Sequence, residues 1–312
     1  AIFVAMALVD EKVMTPLELM GHRNSLMHSE DSIARGRAFV PKPTDVFITT
    51  YPKCGTTWVS QIAHSLRTRG SMDFSEITEV VPWDVCAGDC DQDLNDDQVA
   101  EPRVFKSHES YENIGKGGKY IYVARNPLDA FVSFYHFLPS YMGLAPGDLS
   151  MEEFADAIFA GVSLSGGIWG HYQSWWERRN DDNVLWLFYE DLKADVEGHI
   201  EMIAEFMGIP LDDELRATVL KTSSFAYMSE HGDQFDDHFL RDKVKDRMGL
   251  GDSPISIGKV RKDGGSVGSS KVIPEHVTSL LEQRWQESLG AKQGLKSYDE
   301  LRACLSKCSK SN

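Results

Sequence analysis

The sequence predicts an α/β fold: a single domain with a central parallel β-sheet flanked by helices, and a ligand site at the carboxyl ends of the strands. Three observations point to it. Short apolar runs alternate with amphipathic segments along most of the chain. One run, Val46-Phe47-Ile48, passes through a tight turn straight into a segment of helical period. A length of 312 residues, 42% hydrophobic and 26% charged, supplies ample core for one large domain or two small ones, and no internal repeat or low-complexity tract is visible.

The elements can be taken in order. Residues 1–39 read as an N-terminal lead-in with a short helix, ahead of a main domain at 40–312. Its apolar start, Ala1 to Val9, is too short to span a bilayer and lacks the basic flank of a signal peptide, so a docked or frayed terminus is expected. Val46-Phe47-Ile48, bounded by Pro41, Pro43 and Asp45, is a buried strand. Beyond the turn, Trp58, Val59, Ile62, Ala63 and Leu66 recur at helical spacing. A helix start presents unpaired N–H groups and a positive dipole end, which suits an anion. Gly55 lets the backbone approach closely, Lys53 adds charge, and Thr56 and Thr57 add hydroxyl donors. The turn is not a Walker A motif, because its lysine precedes its only glycine. The plainer alternative is a capped helix start with a solvated lysine.

Residues 71–101 are acidic and loop-rich, without the regular order of a calcium loop, and read as a solvated surface loop. Arg103 to His108 is a short strand ending in Lys106-Ser107-His108, and strand alternation puts Lys106 and His108 on one face. On the residues alone, a surface lysine and a structural histidine are the simpler account. Lys119 to Ala124 is a further strand, and Pro127 suits the first turn of the helix after it, with Leu128, Phe131, Val132 and Tyr135 on its apolar face. Residues 151–180 read as helices, with the tryptophans Trp175 and Trp176 in the core, and 184–188 as a buried strand. An amphipathic helix carrying Val196, Ile200, Ile203, Ala204 and Met207 closes at Gly208 and Pro210. Residues 230–258 are polar, with glycines and a proline, and read as a mobile loop or lid. A last helix follows Pro274.

A net charge of −16 argues against non-specific binding to nucleic acid or anionic membranes, and it requires any anionic ligand to find a locally basic pocket. The five cysteines are not in zinc spacings and are expected as reduced thiols; no metal site is expected.

The stretch Thr49-Thr50-Tyr51-Pro52-Lys53-Cys54-Gly55-Thr56-Thr57-Trp58 resembles the 5′-phosphosulfate-binding loop of the cytosolic sulfotransferases, T-Y-P-K-S-G-T-T-W, with Cys54 in place of serine. The likeness runs through roughly residues 40–290. It implies the P-loop-like sulfotransferase fold, a cytoplasmic location, and transfer of a sulfuryl group from 3′-phosphoadenosine 5′-phosphosulfate (PAPS) to a hydroxyl or amine of a small-molecule acceptor. The product would be adenosine 3′,5′-bisphosphate (PAP). Lys106-Ser107-His108 is similar to the family's K-[TS]-H catalytic strand, which implies His108 as general base with Lys53 and Lys106 stabilising charge. Lys53, Cys54, Gly55, Thr56 and Thr57 would hold the nucleotide's 5′ end, and Trp58 would lie against its adenine. Arg125 and Ser133 fit the family's 3′-phosphate pattern, R-N-x-x-D-x-x-x-S, and Tyr189 its nucleotide-contacting L-F-Y-E-D segment. Ser223, Phe225 and Met228 stand where the family has T-S-F-x-x-M, which implies adenine between Phe225 and Trp58. Arg261, Lys262 and Gly264 would supply the family's R-K-G, interrupted here by Asp263.

By the same resemblance the acceptor would meet Pro52, Trp83, Cys86, Lys106, His108, Phe137 and parts of 230–258. The family's dimerisation pattern, K-x-x-x-T-V-x-x-x-E, is not found, which leaves the oligomeric state open. Cys54, at a helix N-terminus beside Lys53, has two readings: a reactive thiol of lowered pKa, or, more simply, an inert replacement for serine. Two other functions stand beside sulfuryl transfer: a nucleotide-binding protein that has lost catalysis, and a P-loop small-molecule kinase.

Overall fold

A computed structural model of the chain describes residues 11–159, 166–251 and 273–308. Helices α1 (Pro16–Ser25) and α2 (Glu30–Ala38) precede β1 (Val46–Thr50), α3 (Thr56–Thr68) and a short α4 (Ile77–Val80). Then come β2 (Val104–Ser107), β3 (Lys119–Ala124), α5 (Pro127–Tyr141), α6 (Met151–Phe159), α7 (Ile168–Trp176) and β4 (Val184–Phe188). The chain continues through α8 (Tyr189–Ala194), α9 (Val196–Met207), α10 (Asp213–Thr222), α11 (Phe225–Glu230) and α12 (His238–Val244), then α13 (Glu275–Trp285) and α14 (Tyr298–Cys308).

The four strands form one parallel sheet in the order β2-β1-β3-β4, with Val46 aligned on Val104 and on Lys119, and Tyr120 on Val184. Their near-continuous apolar runs follow from burial on both faces, since each parallel crossover lays a helix on the sheet. Val46, Ile48, Ile121 and Val123 pack with Val59, Ile62, Ile203 and Val219 of α3, α9 and α10. Phe47, Phe105, Tyr120 and Tyr122 alternate to the other face and pack with Trp175 and Trp176 of α7. Just ahead of β1 and β2, Arg103 grips Asp45 through two hydrogen bonds of 2.9 and 2.6 Å, both side chains fully enclosed. That pair fixes the entry of the two strands that carry the site.

β1 lies between β2 and β3, so successive connections leave it on opposite sides. A crevice opens at such a reversal, outside the carboxyl ends of the strands. The turn 51–55, the end of β2 and the later part of α5 all converge there.

Three expectations are corrected. The N-terminal segment carries two helices rather than one, and Met20 of α1 is fully buried in the larger core cluster. The acidic passage 71–101 is not simply a solvated loop, for Trp83, Asp84, Val85 and Cys86 are all buried. Residues 82–84 run along β2, with Lys106 N–H donating to the Pro82 carbonyl at 2.9 Å and Asp84 N–H to that of Lys106 at 3.0 Å. The described part of 230–258 is structured: Phe235, Leu240, Val244 and Met248 are buried, and the last three recur every fourth residue beneath a polar exterior. Among the described residues no helix is long and apolar enough to cross a membrane, and Cys54, Cys86, Cys90 and Cys304 are free thiols.

Candidate active site

A cavity of about 1020 Å³ opens at the carboxyl ends of β1 and β2. One end is built by the turn after β1. Lys53 adopts a left-handed backbone (φ +68°), and so does Gly55 (φ +103°), after which α3 begins without a side-chain cap. A Cβ on Gly55 would lie 2.9 Å from the Tyr189 ring, so the turn has room only for glycine there. Gly55, Thr56 and Thr57 line the cavity, leaving the uncapped first N–H groups of α3 beside it. Thr50 and Thr56 share a buried hydroxyl–hydroxyl bond of 2.6 Å, which ties the strand end to the helix start.

Arg125, just past β3, reinforces the turn from below. Its guanidinium donates to the Lys53 carbonyl at 2.8 Å and lies 4.4 Å from the centre of the Tyr189 ring, while its buried Nε–H has no partner among the described residues. Trp58 donates through Nε1 to the Ser223 carbonyl at 2.9 Å, which brings the start of α11 to the mouth of α3. Ser133, Tyr189, Ser223, Phe225 and Met228 all line this end.

The other end is apolar and aromatic: Trp83, Phe134, Phe137, Leu138 and Tyr141, with Met27 from the turn between α1 and α2 and Ile33 from α2. Pro52, Lys106 and His108 face it as well. His108 lies within hydrogen-bond range of the Thr50 carbonyl, Nδ1 to oxygen 2.8 Å, and its ring meets Trp83 edge-on at 5.0 Å. A carbonyl oxygen only accepts, so Nδ1 carries the hydrogen and Nε2 is left as the basic nitrogen. Lys106 Nζ rests 3.9 Å from the centre of the Trp83 ring and 3.4 Å from Asp237 Oδ1. Lys53 Nζ rests 3.8 Å from the centre of the Phe137 ring.

The structure therefore gathers Pro52, Lys53, Gly55, Thr56, Thr57, Trp58, Trp83, Lys106, His108, Arg125, Ser133, Phe137, Tyr189, Ser223, Phe225 and Met228 around one cavity. Two of the expected residues do not line it. Cys54 is fully buried under the turn with its thiol 3.7 Å from the Tyr172 hydroxyl, and burial pushes its pKa up to about 12 against the weaker pull of Arg125. The reading of Cys54 as an acidified, reactive thiol is overturned, because enclosure outweighs the neighbouring cations. Cys86 lies behind the wall, its sulfur 3.1 Å from Nδ1 of His28, which does line the cavity. Arg261, Lys262 and Gly264 lie outside the described residues. Sequence reasoning missed His28 and its neighbours on α1 and α2, Tyr141 and Lys193, for which no motif signals a role, and it anticipated Asp237 only as part of a loop.

A family model described as the sulfotransferase domain matches residues 43–249. Sulfotransferase 1E1 of Bos taurus is 32% identical over 230 residues, covering 69% of this chain and 77% of that protein. Sulfotransferase 1C2 of Homo sapiens is 31% identical over 212 residues, covering 64% and 71% respectively. In three dimensions the chain is similar to mouse sulfotransferase SULT7A1 complexed with PAP, with a TM-score of 0.63 at 22% identity over 92% of this chain and 95% of that one. It is also similar to retinol dehydratase in a complex with retinol and PAP, with a TM-score of 0.63 at 19% identity over 84% and 86%. At these identities the structural likeness speaks for the fold.

Proposed function

The chain belongs to the sulfotransferase family, and from that premise we propose that it transfers the sulfuryl group of PAPS, in line, to a hydroxyl or amine of a flat, apolar small molecule, with His108 as general base. The observation that carries this reading is the meeting, in one cavity, of an uncapped helix start, Lys53, Lys106 and a histidine whose Nδ1 is engaged by a backbone carbonyl.

The chain's own groups account for each requirement. The N–H groups at the start of α3, with Thr56 and Thr57, take the 5′ end of the nucleotide, where a helix dipole and unpaired donors favour negative charge. Arg125, whose buried Nε–H has no partner among the described residues, and Ser133 take the 3′-phosphate. Phe225 and Trp58 offer aromatic faces to the adenine. His108 Nε2 removes the acceptor's proton as its oxygen or nitrogen attacks sulfur, and the bridging oxygen departs with the nucleotide. Lys53 and Lys106 stabilise charge on the leaving phosphate and on the transferring group. The aromatic and aliphatic wall at the other end selects a flat, apolar acceptor.

Titration with PAP followed by a transfer assay tests the reading. The expected result is saturable PAP binding, and label moving from PAPS to at least one member of a panel of phenols, alcohols, amines and steroids. Binding without transfer to any acceptor would leave a nucleotide sensor, and indifference to PAP would remove the nucleotide site altogether.

A further inference from the structure

We propose that Asp237 is a positioning residue for the transfer step, holding the Lys106 ammonium in place at the acceptor end of the cavity. The inference rests on the reading of Lys106 as a group that meets the sulfuryl oxygens.

Three features of Asp237 are each unfavourable alone and fit this role together. Its backbone is left-handed (φ +67°), a conformation that non-glycine residues adopt at a cost in free energy and keep only where their surroundings enforce it. It occupies the N-cap of α12, where an aspartate ordinarily accepts a hydrogen bond from the next helical N–H groups, yet its side chain caps nothing. It is also buried, 4% exposed, beside a lysine that is 5% exposed, and a buried charge is tolerated only with a partner. The carboxylate reaches Lys106 Nζ at 3.4 Å, across 131 positions of sequence, so no local turn accounts for the arrangement.

Lysine carries its charge on a flexible four-carbon stem. Here the ammonium sits against the Asp237 carboxylate and the Trp83 ring face, both on the cavity wall. A cation fixed before the reaction needs no reorganisation when charge shifts in the transition state. The same carboxylate repels an incoming sulfate in the ground state. Asp237 therefore trades affinity for PAPS against placement of Lys106, an arrangement that serves turnover rather than uniform binding. Glu109, also on this wall, is bound by Arg37 at 2.9 Å and does not meet the same need.

The test uses the full chain with Asp237→Asn, Asp237→Glu and Lys106→Ala. Turnover is followed with 2-naphthol as probe acceptor, PAP and PAPS affinities by tryptophan fluorescence without acceptor, and folding by thermal melting. In Asp237→Asn we expect turnover to fall at least about 10-fold, PAP affinity to stay within about 2-fold, and the ratio of PAPS to PAP affinity to rise about 3-fold or more. Asp237→Glu, which restores the charge on a longer stem, should recover part of the turnover. An unchanged affinity ratio in Asp237→Asn overturns the proposal, as does a joint fall of turnover, PAP affinity and melting temperature, which marks a structural strut. If Lys106→Ala itself leaves turnover and the ratio unchanged, the role given to Lys106 fails and this inference fails with it. If Lys106→Ala is damaging and Asp237→Asn silent, only the role of Asp237 falls.

Discussion

At one end of the cavity most of the groups that would face the nucleotide's 5′ end come from a single stretch, 52–58; at the other, the walls come from segments as distant as Met27, Trp83, Phe137 and Asp237. The first is a turn whose shape is set by its own backbone, two left-handed residues followed by an uncapped helix. The second is a chamber whose shape depends on how α1, α2, α5 and the segment before α12 pack against the edge of the sheet. A self-shaped turn is suited to a ligand part that never varies. A chamber assembled from distant pieces can change its occupant by changing one wall, without disturbing the grip on the nucleotide.

Substitutions should separate the two ends. The largest effect is expected at their junction: His108→Ala should lose on the order of 10²–10⁴ in turnover, with PAP affinity retained by calorimetry. Near-wild-type turnover in that variant would remove His108 from the mechanism. Lys53→Ala should lower turnover by about 10²–10³ and weaken nucleotide binding as well, whereas a loss confined to the acceptor's KM would place Lys53 in the chamber instead. Gly55→Ala combines a left-handed backbone with a contact on Tyr189, so about 1–3 kcal/mol of stability and much of the PAP affinity should go while the ranking of acceptors survives. A changed ranking would mean that the two ends are not separable.

Acid sensitivity compares the ends through their histidines. Burial holds His171, stacked on Tyr122 behind the turn, down to about 3, and His28, in the cavity wall, down to about 4. Both rings fold in the neutral form, so their contribution is complete above the unfolded value of 6.5 and is lost as pH falls toward the folded ones. Each should add about 1.4 kcal/mol per pH unit of acid destabilisation in that window. Asp84 opposes them, because burial raises its carboxyl to about 7 and the fold takes up a proton there. Urea denaturation between pH 4.5 and 7 should show a shallower slope for His28→Gln and for His171→Gln, and an unchanged slope in either would mean that ring is already charged in the fold. The smallest effect is expected at Cys54: iodoacetamide should label the exposed Cys304 and spare Cys54 until the chain unfolds, as mass spectrometry would show.

This contrast also decides what the sequence makes legible. The strand–turn–helix from Val46 to Leu66 can be read residue by residue, because adjacent positions carry both its conformation and its chemistry. The sheet follows from the apolar runs. His28 and Asp237 were not legible, since nothing in Glu230 to Asp237 announces that one carboxylate will meet a lysine on β2. Cys54 shows the converse failure. Adjacency to Lys53 suggests an ionised thiol, but the turn directs that side chain into the protein, where dehydration dominates. Residues 230–251 look like a lid because their polar residues conceal a thin apolar line, Leu240, Val244 and Met248.

The resting position of Lys53 links the halves that its own backbone keeps apart. Its ammonium lies on the ring of Phe137, a wall of the apolar chamber, while its main chain belongs to the turn after β1. Were Lys53 to turn toward the nucleotide, as its proposed role asks, Phe137 would lose this companion, and a molecule entering second would meet a room of different outline from the one that greets a molecule entering first.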